Sequence, residues 1–451
     1  MNTPTDTICA ISTAQGTGGI AVIRISGQEA IQAAEKLTDS TLNGRLHFRR
    51  IKDLDDVVVS LFRAPHSYTG EDVAEIACHG SIYIQQEIIR RLNSNGIRQA
   101  QAGEFTRRAF LNGKLDLTQA EAVADLIASE NSAAHDVALN HLKGGIKDEI
   151  ALLRDKLLKL TSLLELELDF ADHEDLEFAD RQKLKNLAHE TSNRLEQLAD
   201  SFRLGNAIKN GVQVAIIGPT NAGKSTLLNA LAGEERAIVS DTEGTTRDTI
   251  EATVNIDGIL FRFIDTAGLR QSTDEIERIG INRSEKATHT ADAIVAVVEA
   301  GEYEHIADNK AVALKYKHLT DLISSAAGKP VCYIYNKADL IPAPRPADTD
   351  NRLYLTAKDG NTEPLKRWLS STFEGSTNHS AVIVSNERHY SALCRAKEAI
   401  DRVSEGLKAG LSGELVALDL HDCLDALGEI TGEITSEEVL QSVFMHFCIG
   451  K

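Results

Sequence analysis

The chain has 451 residues, six cysteines and a formal net charge of −19 at pH 7. That length corresponds to roughly three domains of ordinary size, each able to bury a core without disulfide or metal staples. The charge excludes a global attraction for nucleic acid, so any such binding needs a local basic patch.

Cys9, Cys78, Cys332, Cys394, Cys423 and Cys448 are scattered, with no CxxC pair and no metal-ligand spacing, which points to a reducing compartment. No basic region followed by an apolar stretch opens the chain, and no apolar run approaches a membrane span. The expectation is a cytoplasmic protein with no membrane partner.

Residues 1–118 read as mostly β with some helix. Strands are predicted at Ile20–Ile25, Val57–Phe62 and Val73–Cys78, a turn at Ser67–Asp72 and an amphipathic helix over Ile82–Leu92. Gly16-Thr17-Gly18-Gly19 reads as a tight turn, since its spacing does not match a dinucleotide fingerprint. Arg24, Glu75, Arg107, Arg108 and Lys114 lie in or near apolar segments. Taken singly, each reads as a solvated or paired surface charge.

From Leu117 to about Asn210 the pattern is helical. Ile150, Leu153, Leu157, Leu160, Leu164 and Leu168 form one apolar face, and Leu184, Leu187, Leu195, Leu198 and Phe202 suggest a second helix. The acidic run Glu165–Asp180 between them reads as a solvated helix end and loop. Gly211 to about Glu374 alternates strands with helices, which implies a mostly parallel, helix-wrapped sheet. Helical stripes return at Leu393, Ile400, Val403 and Leu407 and at Leu420, Leu424 and Leu427. Thr435 with Glu438 predicts a capping box for a final helix ending near Phe447. Helices therefore flank the α/β region on both sides. The economical division is residues 1–118, a helical domain in two parts (119–210 and 376–451), and an inserted domain over 211–375.

Inside that insert, the apolar run Val212–Ile217 leads into Gly218-Pro219-Thr220-Asn221-Ala222-Gly223-Lys224-Ser225 and then a helix starting at Ser225–Ala232. Strand, glycine-bounded loop and Gly-Lys-Ser at a helix start are the phosphate-binding P-loop. Its main-chain N–H groups and the helix N-terminus suit a β-phosphate. Lys224 is expected to reach the β- and γ-phosphates and the Ser225 hydroxyl to ligate magnesium. Contacts are expected to run from Asn221, Ala222 and Gly223 to Thr226.

A second apolar strand, Leu260–Ile264, delivers Asp265-Thr266-Ala267-Gly268. Asp265 can hold the magnesium shell through water, and the Gly268 N–H can approach the γ-phosphate. A third, Val331–Tyr335, delivers Asn336-Lys337-Ala338-Asp339. The Asp339 carboxylate can accept from both guanine's ring N–H and its exocyclic amine, a pair that adenine lacks. Lys337 is expected along the base. Thr356-Ala357-Lys358 fits the loop whose Ala357 N–H meets the guanine oxygen. Together these four elements predict a domain that binds GTP and its product GDP.

Ras-like domains place a water-directing glutamine just after the Asp-x-x-Gly; here Leu269 stands there. Two replacements are open. Asn221 either helps hold a monovalent cation against the phosphates or only shapes the loop. The cluster Asp274, Glu275 and Glu277 either directs water or is simply a solvated face.

With these elements assembled, the chain resembles the MnmE (TrmE) family of tRNA modification GTPases over essentially its full length. The likeness is carried by Gly18-Gly19-Ile20-Ala21-Val22-Ile23-Arg24-Ile25-Ser26-Gly27, by Phe110-Leu111-Asn112-Gly113-Lys114-Leu115-Asp116-Leu117, by the GTPase elements and by Cys448-Ile449-Gly450-Lys451. It implies an N-terminal α+β domain, a discontinuous helical domain and an inserted P-loop GTPase domain. It also implies a homodimer whose N-terminal domains pair and bind a tetrahydrofolate derivative (5-formyl- or 5,10-methylene-tetrahydrofolate). Arg24, Glu75, Lys114 and Lys451 match the folate-contacting positions. The implied partner is a flavin- and NADH-using protein of the MnmG type, in a heterotetramer. With it, an aminomethyl or carboxymethylaminomethyl group is added at C5 of the wobble uridine of tRNA.

By the same resemblance, Asn221 matches a potassium-ligating asparagine, and Ser240, Thr242 and Thr245 lie in the loop enclosing that ion. Thr246 joins Ser225 on magnesium, and Glu277, acting beside Lys224, orients water through a second water. Cys448 is either a reactive thiol or a small residue at a helix end. The chain departs from the family at Pro219-Thr220, where a variable residue and then proline are common, and at Ser240, where threonine is commoner. The alternative reading is a regulatory G-protein switch acting on RNA or ribosome assembly without carbon transfer.

Overall fold

In the computed structural model, residues 6–169, 181–234, 252–265, 285–303, 306, 309–326, 328–341, 347–373, 382–445, 447 and 450 are described. The chain forms two compact units. One comprises Met1–Ala128, Ala138–Glu196 and Ser391–Lys451, the other Ser129–Val137 and Gln197–Tyr390. Among the described residues, no helix is long and apolar enough to cross a membrane.

The first unit carries the strands β1 (Ile8–Ile11), β2 (Gly18–Ser26), β3 (Leu46–Ile51), β4 (Asp55–Phe62), β5 (Val73–Gly80) and β6 (Arg98–Gln99). They form one sheet in the order β3-β4-β5-β2-β1-β6, antiparallel except for the β1–β6 pair. Side chains alternate across a strand, so Val57, Val59 and Leu61 are buried with Ile23, Ile25 and Ile76. Against them pack the apolar faces of α1 (Ala30–Thr38) and α2 (Ile82–Ser94). The opposite face carries Arg24 and Glu75, cross-strand partners on β2 and β5. Toward the β3–β4 edge, that face exposes Leu46, Phe48, Val58 and Phe62.

Arg108 departs from the surface charge predicted for it. It lies on α3 (Glu104–Leu111), and its side chain is 1% exposed. Its guanidinium meets Asp6 Oδ1 at 2.8 Å, Glu104 Oε1 at 3.1 Å and Glu71 Oε1 at 3.3 Å. Burial alone would raise the Glu104 carboxyl, but hydrogen bonds from Arg98, the Gln101 N–H and Arg108 hold it below its ordinary value. Because that pKa is depressed on folding, the pairing stabilises at neutral pH and is lost as pH falls through the depressed value. Removing one partner of a buried ion pair leaves uncompensated charge. Arg108→Ala is therefore expected to cost about 3–5 kcal/mol, read as faster amide exchange across β1, β2 and β5. Unchanged exchange would show that the cluster is not holding the sheet.

The helix Gly145–Asp169 buries the predicted Ile150, Leu153, Leu157, Leu160 and Leu164, and Ile146 besides; the Leu168 side chain lies outside the described residues. It packs along Gly413–Thr431. Arg154 Nη1 donates to the Leu424 carbonyl at 3.1 Å, and a Cβ at Gly428 would lie 2.6 Å from that nitrogen. The final helix is Glu437–Met445. Its cap is not the predicted Thr435. The Val439 N–H donates to Ser436 Oγ at 3.3 Å, while Thr435 Oγ1 is buried without a hydrogen bond among the described residues. Glu438 is thus one position early for the box.

The second unit holds β7 (Val212–Ile217), β8 (Ala252–Ile256), β9 (Ile259–Asp265), β10 (Ala293–Glu299), β11 (Val331–Asn336) and β12 (Arg352–Tyr354). The order is β12-β11-β10-β7-β9-β8, parallel except for the β8–β9 hairpin. Apolar clusters cover both faces, so central strands read as unbroken apolar runs. Ligands of such sheets bind beyond the carboxyl ends of the strands. The fold class is multidomain: an N-terminal α+β domain, a discontinuous helical domain and an inserted, mostly parallel α/β domain.

Candidate nucleotide-binding site

β7 ends at Ile217, and the loop after it is shaped by glycine. Gly218 has φ +154°, and a Cβ there would collide with the Val297 carbonyl of β10. Asn221 has φ +65° and is exposed; asparagine is among the few side-chain-bearing residues that tolerate this backbone. Gly223 has φ +96°, and a Cβ on it would strike Asn336 Nδ2. Lys224 opens the helix Lys224–Glu234. Its ammonium donates to the carbonyls of Gly218 at 2.8 Å and Pro219 at 2.9 Å, which holds a cation across the loop. Ser225 and Thr226 are exposed in the first turn.

Asn336 at the end of β11 is 3% exposed. Its Nδ2 donates to the Ala222 carbonyl at 2.7 Å, and its Oδ1 accepts from the Ala357 N–H at 3.0 Å. One carboxamide thus clasps the phosphate loop to the Thr356–Lys358 loop. The Ala357 N–H, predicted to meet the base, is here given to Asn336. Beside the clasp, the Thr356 hydroxyl lies 3.4 Å from Asp339 Oδ1, and Asp339 and Lys358 are exposed. Lys337 has φ +59°. In register, Asp265 pairs with Ile216, so β9 ends next to the start of the phosphate loop.

In the other unit, Arg24 Nε donates to Glu75 Oε1 at 2.9 Å. The guanidinium carbon lies 5.3 Å from the Tyr68 ring centre and 5.7 Å from that of Phe105. The Tyr68 hydroxyl is 2.8 Å from Thr106 Oγ1. Lys114 Nζ donates to the Pro65 carbonyl at 3.1 Å. The Gly450 carbonyl accepts from Ser12 Oγ at 3.1 Å, and a Cβ at Gly450 would collide with the Ile11 carbonyl. The residue before Lys451 therefore lies against the end of β1, the strand beside Arg24.

Two family descriptions match the chain: the GTP-binding protein TrmE N-terminus over residues 7–114 and the MnmE helical domain over residues 117–448. The tRNA modification GTPase MnmE of Parabacteroides distasonis is 48% identical over 467 residues, covering 99% of this chain and all of that one. This chain belongs to the MnmE family. The Bacteroides thetaiotaomicron protein of the same name is 47% identical over 473 residues, with 99% of each chain covered. Among solved structures, Aquifex aeolicus Era bound to GDP·AlF4− is 25% identical, with a TM-score of 0.27, covering 42% of this chain and 66% of that chain.

Of the residues predicted for this MnmE-family member, the structure brings Ala222, Gly223 and Ala357 together around the buried Asn336 carboxamide, sets the Lys224 ammonium on the Gly218 and Pro219 carbonyls of the same loop, and places Arg24 with Glu75 on one sheet face. Ser240, Thr242, Thr245, Thr246, Thr266, Ala267, Gly268, Glu277, Cys448 and Lys451 lie outside the described residues, as do Asp274 and Glu275 and the side chain of Asp265. Tyr68 and Phe105 were not predicted as neighbours of Arg24. Tyr68 lay inside a stretch legible only as turn chemistry. Burial raises the thiols of Cys9, Cys332 and Cys423 to about 12 and that of Cys78 to about 11, which leaves them inert at neutral pH.

Proposed function

We propose that this MnmE-family GTP hydrolase works in a potassium-dependent way and, with an MnmG-type flavoprotein, modifies C5 of the wobble uridine of tRNA using a tetrahydrofolate one-carbon unit. The observation that carries the nucleotide half is the Asn336 clasp, because it joins a phosphate loop to a base loop through one buried side chain. Lys224 binds the β- and γ-phosphates by exchanging its two carbonyl partners for phosphate oxygens. Ser225, with Thr246, suits magnesium, since a hydroxyl at a helix N-terminus sits where the phosphates end. Asn221, with Ser240, Thr242 and Thr245, suits potassium: it is an exposed residue of the phosphate loop whose side chain carries an oxygen able to ligate a cation. Magnesium and potassium, when bound, supply charge neutralisation as the γ-phosphate departs. Asp265, Thr266, Ala267 and Gly268 contact the γ-phosphate side, and Glu277 directs water.

The N-terminal domain (1–118) takes the carrier at Arg24, Glu75, Lys114 and Lys451. A half-buried Arg–Glu pair flanked by Tyr68 and Phe105 suits a flat, polar-edged ring. The homodimer is supported by the open apolar face at Leu46, Phe48, Val58 and Phe62, which a second copy would cover. The helical domain comprises 119–210 and 376–451 and the GTPase domain 211–375; for Cys448 both readings stand, a reactive thiol or a small residue at a helix end.

Nucleoside analysis of tRNA from cells lacking the protein tests this reading. Loss of the C5-modified wobble uridine is expected; full retention would favour a regulatory switch without carbon transfer. The carrier site is tested separately. Purified protein should bind 5-formyl-tetrahydrofolate saturably, and Arg24→Ala should weaken binding by about tenfold or more, the scale of a lost charged hydrogen bond. Absence of saturable binding would remove the folate role.

A further inference from the structure

Glu299, the last residue of β10, pairs in register with Asn336 on β11, so its side chain stands beside the guanine loop. Lys337 follows Asn336 in the left-handed region, and its Nζ lies 2.9 Å from Glu299 Oε2. Both side chains are half-buried, 34% and 25% exposed. Glu299 is itself fixed from below. Its main-chain N–H donates to the Tyr316 hydroxyl at 3.2 Å, and Tyr316 is fully buried. Tyr316 packs edge-on against Tyr303 at 4.9 Å, Tyr303 against Tyr335 at 5.8 Å, and Tyr335 stacks on Tyr354 at 4.7 Å. A floor of tyrosines therefore sets the height of the strand ends from which Glu299 and Lys337 project.

We propose that Glu299 is a positioning residue for guanine recognition, acting through Lys337. The next carboxylate along the chain from Lys337 is Asp339, whose oxygens are needed for guanine's ring N–H and exocyclic amine. By taking the ammonium, Glu299 keeps Lys337 from pairing with Asp339 and holds its methylene stem where the base plane lies. This inference rests on the guanine-site reading and adds a residue to it. The pair is partly solvent-exposed, so its worth is that of a surface ion pair and not of a buried one.

The test uses the full-length protein and measures GDP affinity and GTP turnover for Glu299→Gln, Lys337→Ala and the double variant. Glu299→Gln is expected to raise the GDP Kd and the KM for GTP about fivefold with kcat unchanged. The double variant is expected to bind no more weakly than Lys337→Ala alone, because Glu299 acts only through that lysine. Unchanged affinity in Glu299→Gln, or additive losses in the double variant, would overturn the proposal. Asp339→Asn, run in parallel, separates the two failures. If it leaves guanine preference intact, the site reading fails and this role with it. If it exchanges the preference while Glu299→Gln changes nothing, only the role of Glu299 fails.

Discussion

Asp339→Asn is expected to lower kcat/KM for GTP by about 10⁴-fold and to make xanthosine triphosphate the better substrate. A carboxylate offers acceptors only, which suits guanine's ring N–H and exocyclic amine together. Asparagine replaces one acceptor by an N–H donor, which faces the amine unfavourably and meets the carbonyl that xanthine carries in its place. A site built to hydrogen-bond particular groups leaves them buried and unpaired when the partner lacks them, and that is where the large factor arises. The surrounding frame is independent of the substitution. Asn336 keeps its bonds to Ala222 and Ala357, so phosphate binding is expected to persist. Measuring kcat/KM for both nucleotides checks this, and retained GTP preference in the variant would place base recognition elsewhere.

Three of the parallel strands of the second unit were legible almost to the residue, while Ala293–Glu299 and Arg352–Tyr354 were not predicted as strands. Val212–Ile217 was predicted over the observed span, and Val331–Tyr335 stops one residue short of Asn336. Strands buried on both faces carry unbroken apolar runs, and each delivers a recognisable loop. The edge strand Leu46–Ile51 was missed, because its alternation of Leu46 and Phe48 with His47 and Arg49 exposes apolar side chains on an open face. Arg108 was misread for a different reason. Its carboxylates come from Asp6, Glu71 and Glu104, and only the last lies within a helical turn of it; the other two converge through tertiary structure. The same limit hid Tyr68 and Phe105 beside Arg24. Cross-strand register, which sets Arg24 opposite Glu75, is invisible in either strand read alone. Asn336 was read as part of a base-recognition motif, yet its side chain is spent on holding two loops together, and nothing in its spacing distinguishes those roles.

Leu269 cannot orient water, so hydrolysis needs charge neutralisation and water positioning from other groups. An arginine finger that neutralises a departing γ-phosphate is worth about 10³–10⁵ in rate, and in the proposed mechanism a potassium ion held partly by Asn221 would take the same task. The left-handed backbone at Asn221 is tolerated by asparagine and opposed by most other residues, but an alanine there would strain the loop as well as delete the ligand. GDP affinity therefore has to be measured beside turnover, since a collapsed loop would lose both.

Steady-state GTP turnover in potassium and in sodium at equal ionic strength, for the wild-type chain and Asn221→Ala, is the most direct test. The expected result is strong stimulation by potassium in the wild type, no stimulation in Asn221→Ala, and GDP affinity nearly unchanged between them. Equal wild-type turnover in the two salts, or full potassium stimulation in the variant, would contradict it.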